Sequence, residues 1–174
     1  SRGLGDVYKR QVYVTSPDYL GNLLPVREIA EVCHAAGVPL LVDNAHGAYL
    51  RFLPEDRHPI SLGADLCCDS AHKTLPALTG TAYLHVSRTA LPLFAAGARD
   101  ALALFGSTSP SYLLLASLDL CNRYLADGFR NALAERAGQV AAVRAALRTN
   151  GWDVEDTEPM NCLLYTSDAA DEED

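Results

Sequence analysis

Apolar residues run through this chain in two rhythms. Val12-Tyr13-Val14-Thr15, Leu40-Leu41-Val42 and Asp65-Leu66-Cys67-Cys68 are short, mostly apolar runs bounded by turn formers. Runs of that length read as strands buried in a parallel sheet. Gly80 to Val86, rich in Thr, Tyr and Val, reads as a fourth strand. Between the first two runs, Val26, Ile29, Ala30 and Cys33 form the apolar stripe of an amphipathic helix starting at about Pro25. Gly37 ends that helix and Pro39 cannot continue it. Strand, helix and strand in this order predict two parallel strands joined by a right-handed crossover. Further on, the pattern predicts a loop over Tyr49 to Ile60, a short helix closing at Ala64, and a helix over Arg88 to Leu104. Ser109 is expected as an N-cap with Pro110 as the first residue of a helix reaching about Leu125. Another helix is expected over Phe129 to Arg148, then the start of a strand at Gly151 to Val154. The expected class is α/β: three layers, a mostly parallel sheet with flanking helices.

Two of the strands stop abruptly at ionisable residues. The first continues into Asp43-Asn44-Ala45-His46-Gly47, the second into Asp69-Ser70-Ala71-His72-Lys73-Thr74. In open α/β sheets ligands bind outside the carboxyl ends of the strands. Asp43 and the group Ser70, His72 and Lys73 are therefore predicted on one rim of one sheet. A lysine whose amine is partly deprotonated can form a Schiff base with an aldehyde. A carboxylate at the end of a buried strand is costly unless paired, and a protonated ring nitrogen would pair it. Ser70 and His72 can face one pocket only if the backbone there is extended. Ser107-Thr108-Ser109-Pro110 precedes a helix, where free N–H groups make an anion site.

These motifs carry a resemblance. Asp-x-Ala-His, then Ser-x-His-Lys-Thr-Leu-Pro-Ala-Leu-Thr, with Thr15-Ser16-Pro17-x-Tyr19-x-Gly21 before them and Ser107-Thr108-Ser109-Pro110-Ser111-Tyr112 after, resembles the large domain of the Orn/Lys/Arg decarboxylases. These are pyridoxal 5'-phosphate enzymes of the aspartate-aminotransferase fold. The resemblance covers roughly Val12 to Arg148. It implies that Lys73 holds the cofactor as a Schiff base, that Asp43 pairs with the pyridinium nitrogen, and that Ala45 packs against the ring. It places His46 near cofactor and substrate, has Ser70 and His72 help with the phosphate and the lysine, and has Thr108 and Ser109 reach the cofactor phosphate of a second copy in a homodimer or larger homo-oligomer. The substrate it implies is a small basic amino acid: ornithine, lysine or arginine. Another enzyme of the same fold, such as an aminotransferase, and a fragment inert by itself remain alternatives. Asp43-Asn44-Ala45-His46 also looks superficially like a helicase box, but lacks its glutamate, and no glycine-rich phosphate loop with lysine occurs.

Composition narrows the classes. The chain has 174 residues, 49% hydrophobic and 21% charged, enough to bury a core. A net charge of −8 argues against nucleic acid or an anionic membrane as general partner. No apolar run approaches a bilayer span. The five cysteines fit no zinc spacing and read as buried thiols of a cytoplasmic protein. Residues 1–11 and 162–174 read as extensions foreign to the fold, leaving 12–161 as part of a cofactor-binding large domain. The resemblance places the main phosphate loop, the ring-stacking aromatic and a small C-terminal domain outside this segment.

Overall fold

The computed structural model describes residues 11–155 and 158–161 and the backbone of 164–165. Its main sheet has four strands in the order β1 (Val12–Thr15), β2 (Leu40–Asp43), β3 (Leu66–Asp69) and β4 (Tyr83–Val86). The first three are parallel, with Thr15 opposite Asp43 and Asp43 opposite Cys68, and β4 is antiparallel to β3. Helix α1 (Val26–Ala35) makes the β1–β2 crossover and ends where Gly37 takes φ +66°, a conformation costly for any side chain but hydrogen.

The strand pleat sorts side chains by face. Val12, Val14, Leu40 and Val42 pack against Val26, Ala30 and Cys33 of α1 and Ala64 beside α2 (Pro59–Leu62). The opposite face carries Tyr13, 60% exposed, and the half-buried Leu41, Asp43 and Cys68. A second core lies beyond the carboxyl ends of the strands. There Tyr49, Leu50 and Leu53 pack with Leu75, Cys121, Phe129 and Leu133. Tyr49 and Leu50 belong to a 3-10 helix, Ala48–Phe52, in the stretch expected to be loop. Their apolar side chains have a core to enter, which loop composition did not reveal.

The remaining helices are α3 (Ala71–Thr74), α4 (Leu91–Phe105), α5 (Tyr112–Ala126) and α6 (Phe129–Thr149). Helix α5 corrects the expected cap. Its N-cap is Ser111, whose carbonyl accepts the first intrahelical bond from the Leu115 N–H at 3.0 Å. Pro110 restricts Ser109 to extended backbone and stays outside the helix itself. Strand β5 (Asp153–Val154) pairs antiparallel with β6 (Leu164–Tyr165), so part of the expected C-terminal extension meets the fold in backbone. The other residues of 162–174, and 1–10, lie outside the described residues. Among the described residues, no helix is long and apolar enough to cross a membrane.

Candidate active site

Asp43 is the last residue of β2, and Lys73 lies in α3, directly after β3. Parallel pairing therefore puts both at the carboxyl rim of the sheet, as their strands predicted. Lys73 Nζ lies 3.1 Å from His46 Nε2, in the turn that follows Asp43. Burial first, and then the Lys73 charge, push the His46 imidazole below its ordinary value, against the opposing pull of Asp43. A neutral imidazole can accept the Lys73 N–H at Nε2, which assigns the other ring proton to Nδ1. Tyr19 completes the group, its ring edge-on to His46 at 4.9 Å and with Lys73 Nζ 5.9 Å from its centroid.

Asp43 is held from both sides. Its Oδ2 accepts from the Tyr13 hydroxyl at 3.1 Å, and its Oδ1 from the Ala45 N–H at 3.1 Å. The Cys68 thiol lies 3.7 Å from Oδ1, and burial followed by the Asp43 charge pushes that thiol up. Ala45 thus closes a turn onto Asp43 rather than continuing the strand alternation.

Gly47 follows for a steric reason. Its φ of −116° suits any residue. A Cβ there, however, would collide with Asn44 Oδ1 and stand 2.7 Å from both Leu50 Cδ1 and Pro17 Cδ. The glycine lets this turn pass over the buried Asn44.

Ser70 and His72 do not share one face, because the backbone from Ala71 is helical rather than extended. His72 Nδ1 lies 3.0 Å from the Thr81 carbonyl, which its N–H can reach as donor. Ser70 caps α3 by position, without a side-chain cap bond. Thr108 and Ser109 are exposed on the connection between α4 and α5. There the Ser109 N–H donates to Ser107 Oγ at 3.2 Å, and neither residue lines the Lys73 cavity.

That cavity measures about 720 Å³ and is lined by Tyr19, His46, Lys73, Phe129, Arg136 and Glu158 among others. Ligand pockets commonly measure about 300–1,000 Å³. The sequence pattern had marked His46 and Lys73. Tyr19 stood only inside a motif, and Phe129 and Glu158 carried no local signal.

One more cluster lies against this rim. Asp69, only 4% exposed, accepts at Oδ2 from His58 Nε2 at 3.0 Å and from His85 Nε2 at 2.9 Å. Its Oδ1 accepts from Asn44 Nδ2 at 2.7 Å and lies 3.4 Å from the Cys67 thiol. Burial alone would push the Asp69 carboxyl up; the donors from His58, His85 and Asn44 outweigh it and hold it well below the carboxylate range. A depressed folded value contributes stability that is full above the unfolded value, near about pH 4, and is lost as pH falls. Thermal melts should therefore show the midpoint falling below about pH 4. Asp69→Asn should lower the midpoint at neutral pH and flatten that acid limb.

The Orn/Lys/Arg decarboxylase major-domain model matches residues 5–167. The chain belongs to that family. Pyridoxal 5'-phosphate is the family's cofactor. An arginine decarboxylase of Bacillus subtilis is 36% identical over 131 residues, 74% of this chain and 26% of that protein. One of Halalkalibacterium halodurans is 36% identical over 123 residues, 69% of this chain and 24% of that protein. The chain spans about a quarter of the length of these curated relatives. Among solved structures, a pyridoxamine-pyruvate aminotransferase from Mesorhizobium loti superposes with a TM-score of 0.71 at 23% identity. It covers 94% of this chain, which covers 46% of it, and shows the shared fold.

The residues fit this cofactor at its aldehyde end, where the Lys73 amine reaches into a cavity of suitable size. Asp43 ends the neighbouring strand on the same rim but, like Ala45, does not line that cavity. The described residues around that cavity do not gather Ser70, His72, Thr108 and Ser109 as a phosphate cradle.

Proposed function

We propose that this chain supplies the covalent lysine and the ring-nitrogen carboxylate of a pyridoxal-phosphate-dependent decarboxylase acting on ornithine, lysine or arginine. The observation that carries this reading is the Lys73 amine, hydrogen-bonded to His46 at the rim that Asp43 also occupies. The arginine decarboxylases among its relatives favour arginine. Lys73 would hold the cofactor aldehyde, Ala45 and His46 would border the ring, and Asp43 would keep a proton at the pyridine nitrogen. When bound, the cofactor supplies an electron sink for the pair left on the α-carbon as carbon dioxide departs. His46, neutral and 3.1 Å from Lys73 Nζ, can take a proton from that amine and return it. Burial pushes the Glu158 carboxyl up, and a cationic substrate end beside it would offset that cost.

The test is carbon dioxide release by the full-length enzyme from each of the three basic amino acids, set against neutral ones. Release from at least one basic substrate is expected; amino transfer to a keto acid without release would overturn the reading. Asp43→Asn should lower kcat by roughly a hundredfold or more while cofactor affinity falls far less. A matched loss of both would remove Asp43 from the assigned role.

The proposed phosphate contacts are Ser70, whose hydroxyl makes no cap bond, and Thr108 and Ser109 toward a partner's site; His72, bonded to the Thr81 carbonyl, would steady the Lys73 segment. The partner is a second copy of the chain. Its contact face would include α4, which buries no residue, and the start of α5, with Phe105 85% and Tyr112 88% exposed. Exposed large apolar side chains gathered on one face mark an interaction site. The full-length protein should sediment as a dimer or larger; a strict monomer at micromolar concentration contradicts this assignment.

A further inference from the structure

The Asp69 carboxylate ties together four pieces of chain that meet beneath the site. Asn44 belongs to the turn after β2, His58 caps α2, His85 lies in β4, and Asp69 itself ends β3. Asn44 is the residue after Asp43, and Asp69 stands immediately before the segment that leads to Lys73. The Asn44–Asp69 bond, 2.7 Å and buried, is thus a direct side-chain link between the turn carrying Asp43 and His46 and the turn carrying Lys73. The backbone adds one more, from the Asn44 N–H to the Cys68 carbonyl at 2.9 Å.

The three ligand-type atoms of His58, Asp69 and His85 lie within 4.8 Å of one another, a spacing a divalent cation could bridge. The hydrogen bonds argue otherwise. His58 Nδ1 accepts from the Ile60 N–H at 3.3 Å, so its Nε2 must keep the proton it donates to Asp69. A metal at Nε2 would require that proton at Nδ1, facing another donor. The arrangement is a carboxylate saturated by N–H groups, and its position gives it a task.

We propose that Asp69, held by His58 and His85 and linked to Asn44, is a positioning residue that sets the Lys73 turn against the Asp43–His46 turn. The functional meaning of that geometry rests on the reading of Lys73 given above. Asp69 touches no reacting atom. It acts by keeping Lys73 Nζ within hydrogen-bond reach of His46. Loosening the clamp separates the two turns and frees the His46 ring from both burial and the Lys73 charge.

The test uses the whole chain and compares the parent with Asp69→Asn, His85→Leu and His85→Gln. His85 is 40% exposed in its side chain, so its variants should fold where Asp69→Asn does not. Gln can place an N–H donor near the position of His Nε2. The readout is the NMR titration of the His46 ring, assigned with His46→Gln. Asp69→Asn and His85→Leu should shift the His46 midpoint upward, toward an ordinary imidazole, and His85→Gln should restore the parent value. A lower thermal midpoint with His46 titrating as in the parent would make the cluster merely structural and overturn the proposal. Zinc ions that raise the parent's thermal midpoint, but not that of His85→Leu, would make it a metal site and overturn it as well. This readout needs no cofactor. If the His46 midpoint answers to Asp69 while pyridoxal phosphate fails to label Lys73, the positioning stands and the decarboxylase reading falls.

Discussion

Replacing Lys73 with alanine in the full-length protein should abolish both the proposed decarboxylation and covalent capture of pyridoxal phosphate, with the fold intact. Lys73 is exposed, and its described polar contact is with His46. Losing an exposed side chain of that kind changes stability by no more than about 0.5 kcal/mol. Among the described residues Lys73 is the sole lysine, and it stands on the rim that Asp43 also occupies. Circular dichroism melts should therefore superpose for parent and variant, while absorbance and carbon dioxide assays separate them completely. A variant that keeps turnover shows that another amine does the work.

Gly47→Ala should be the most damaging single-methyl change at the site. The added Cβ would overlap Asn44 Oδ1 and crowd Leu50 and Pro17, and all three residues are buried. Overpacking against side chains that cannot retreat costs about 3 kcal/mol. For a chain of this size that corresponds to a fall of about 10 °C in the thermal midpoint. The damage should also spread, because Asn44 cannot move without giving up its 2.7 Å bond to Asp69. Thermal melts of Gly47→Ala beside Gly37→Ala separate space from backbone. A Cβ at Gly37 meets nothing within 4 Å, so that variant should register only its positive φ. Equal losses would place the Gly47 effect in the backbone instead of the collision.

The contrast between these two glycines shows what a linear sequence reveals. Gly37 was legible as a helix stop, because a left-handed residue after an amphipathic stripe is a local event. Gly47 stood in a motif, but its reason is a buried neighbour brought in by folding. The sheet was legible because Val12–Thr15, Leu40–Asp43 and Leu66–Asp69 are apolar runs too short for helices. The rim followed, since parallel strands place their carboxyl ends together. Less could be read where a residue's role depends on the angle of a turn. Ser70 and His72 could face one pocket only on extended backbone, a condition that the helix starting at Ala71 does not meet. Pro110 marked a helix start two residues early, since proline suits the first turn but does not compel it. The cluster on Asp69 gave no signal at all. Its members come from the turn after β2, the end of β3, the middle of β4 and a helix cap, and no period or spacing links them.

The most direct test of the central claim is peptide mapping after borohydride reduction of this chain with pyridoxal phosphate. The mapping needs only a small trapped fraction. The account predicts a label on Lys73, lost in Lys73→Ala and reduced when His46 is replaced by glutamine. A label confined to Lys9 or the N-terminal amine, with Lys73 unmodified, would contradict it.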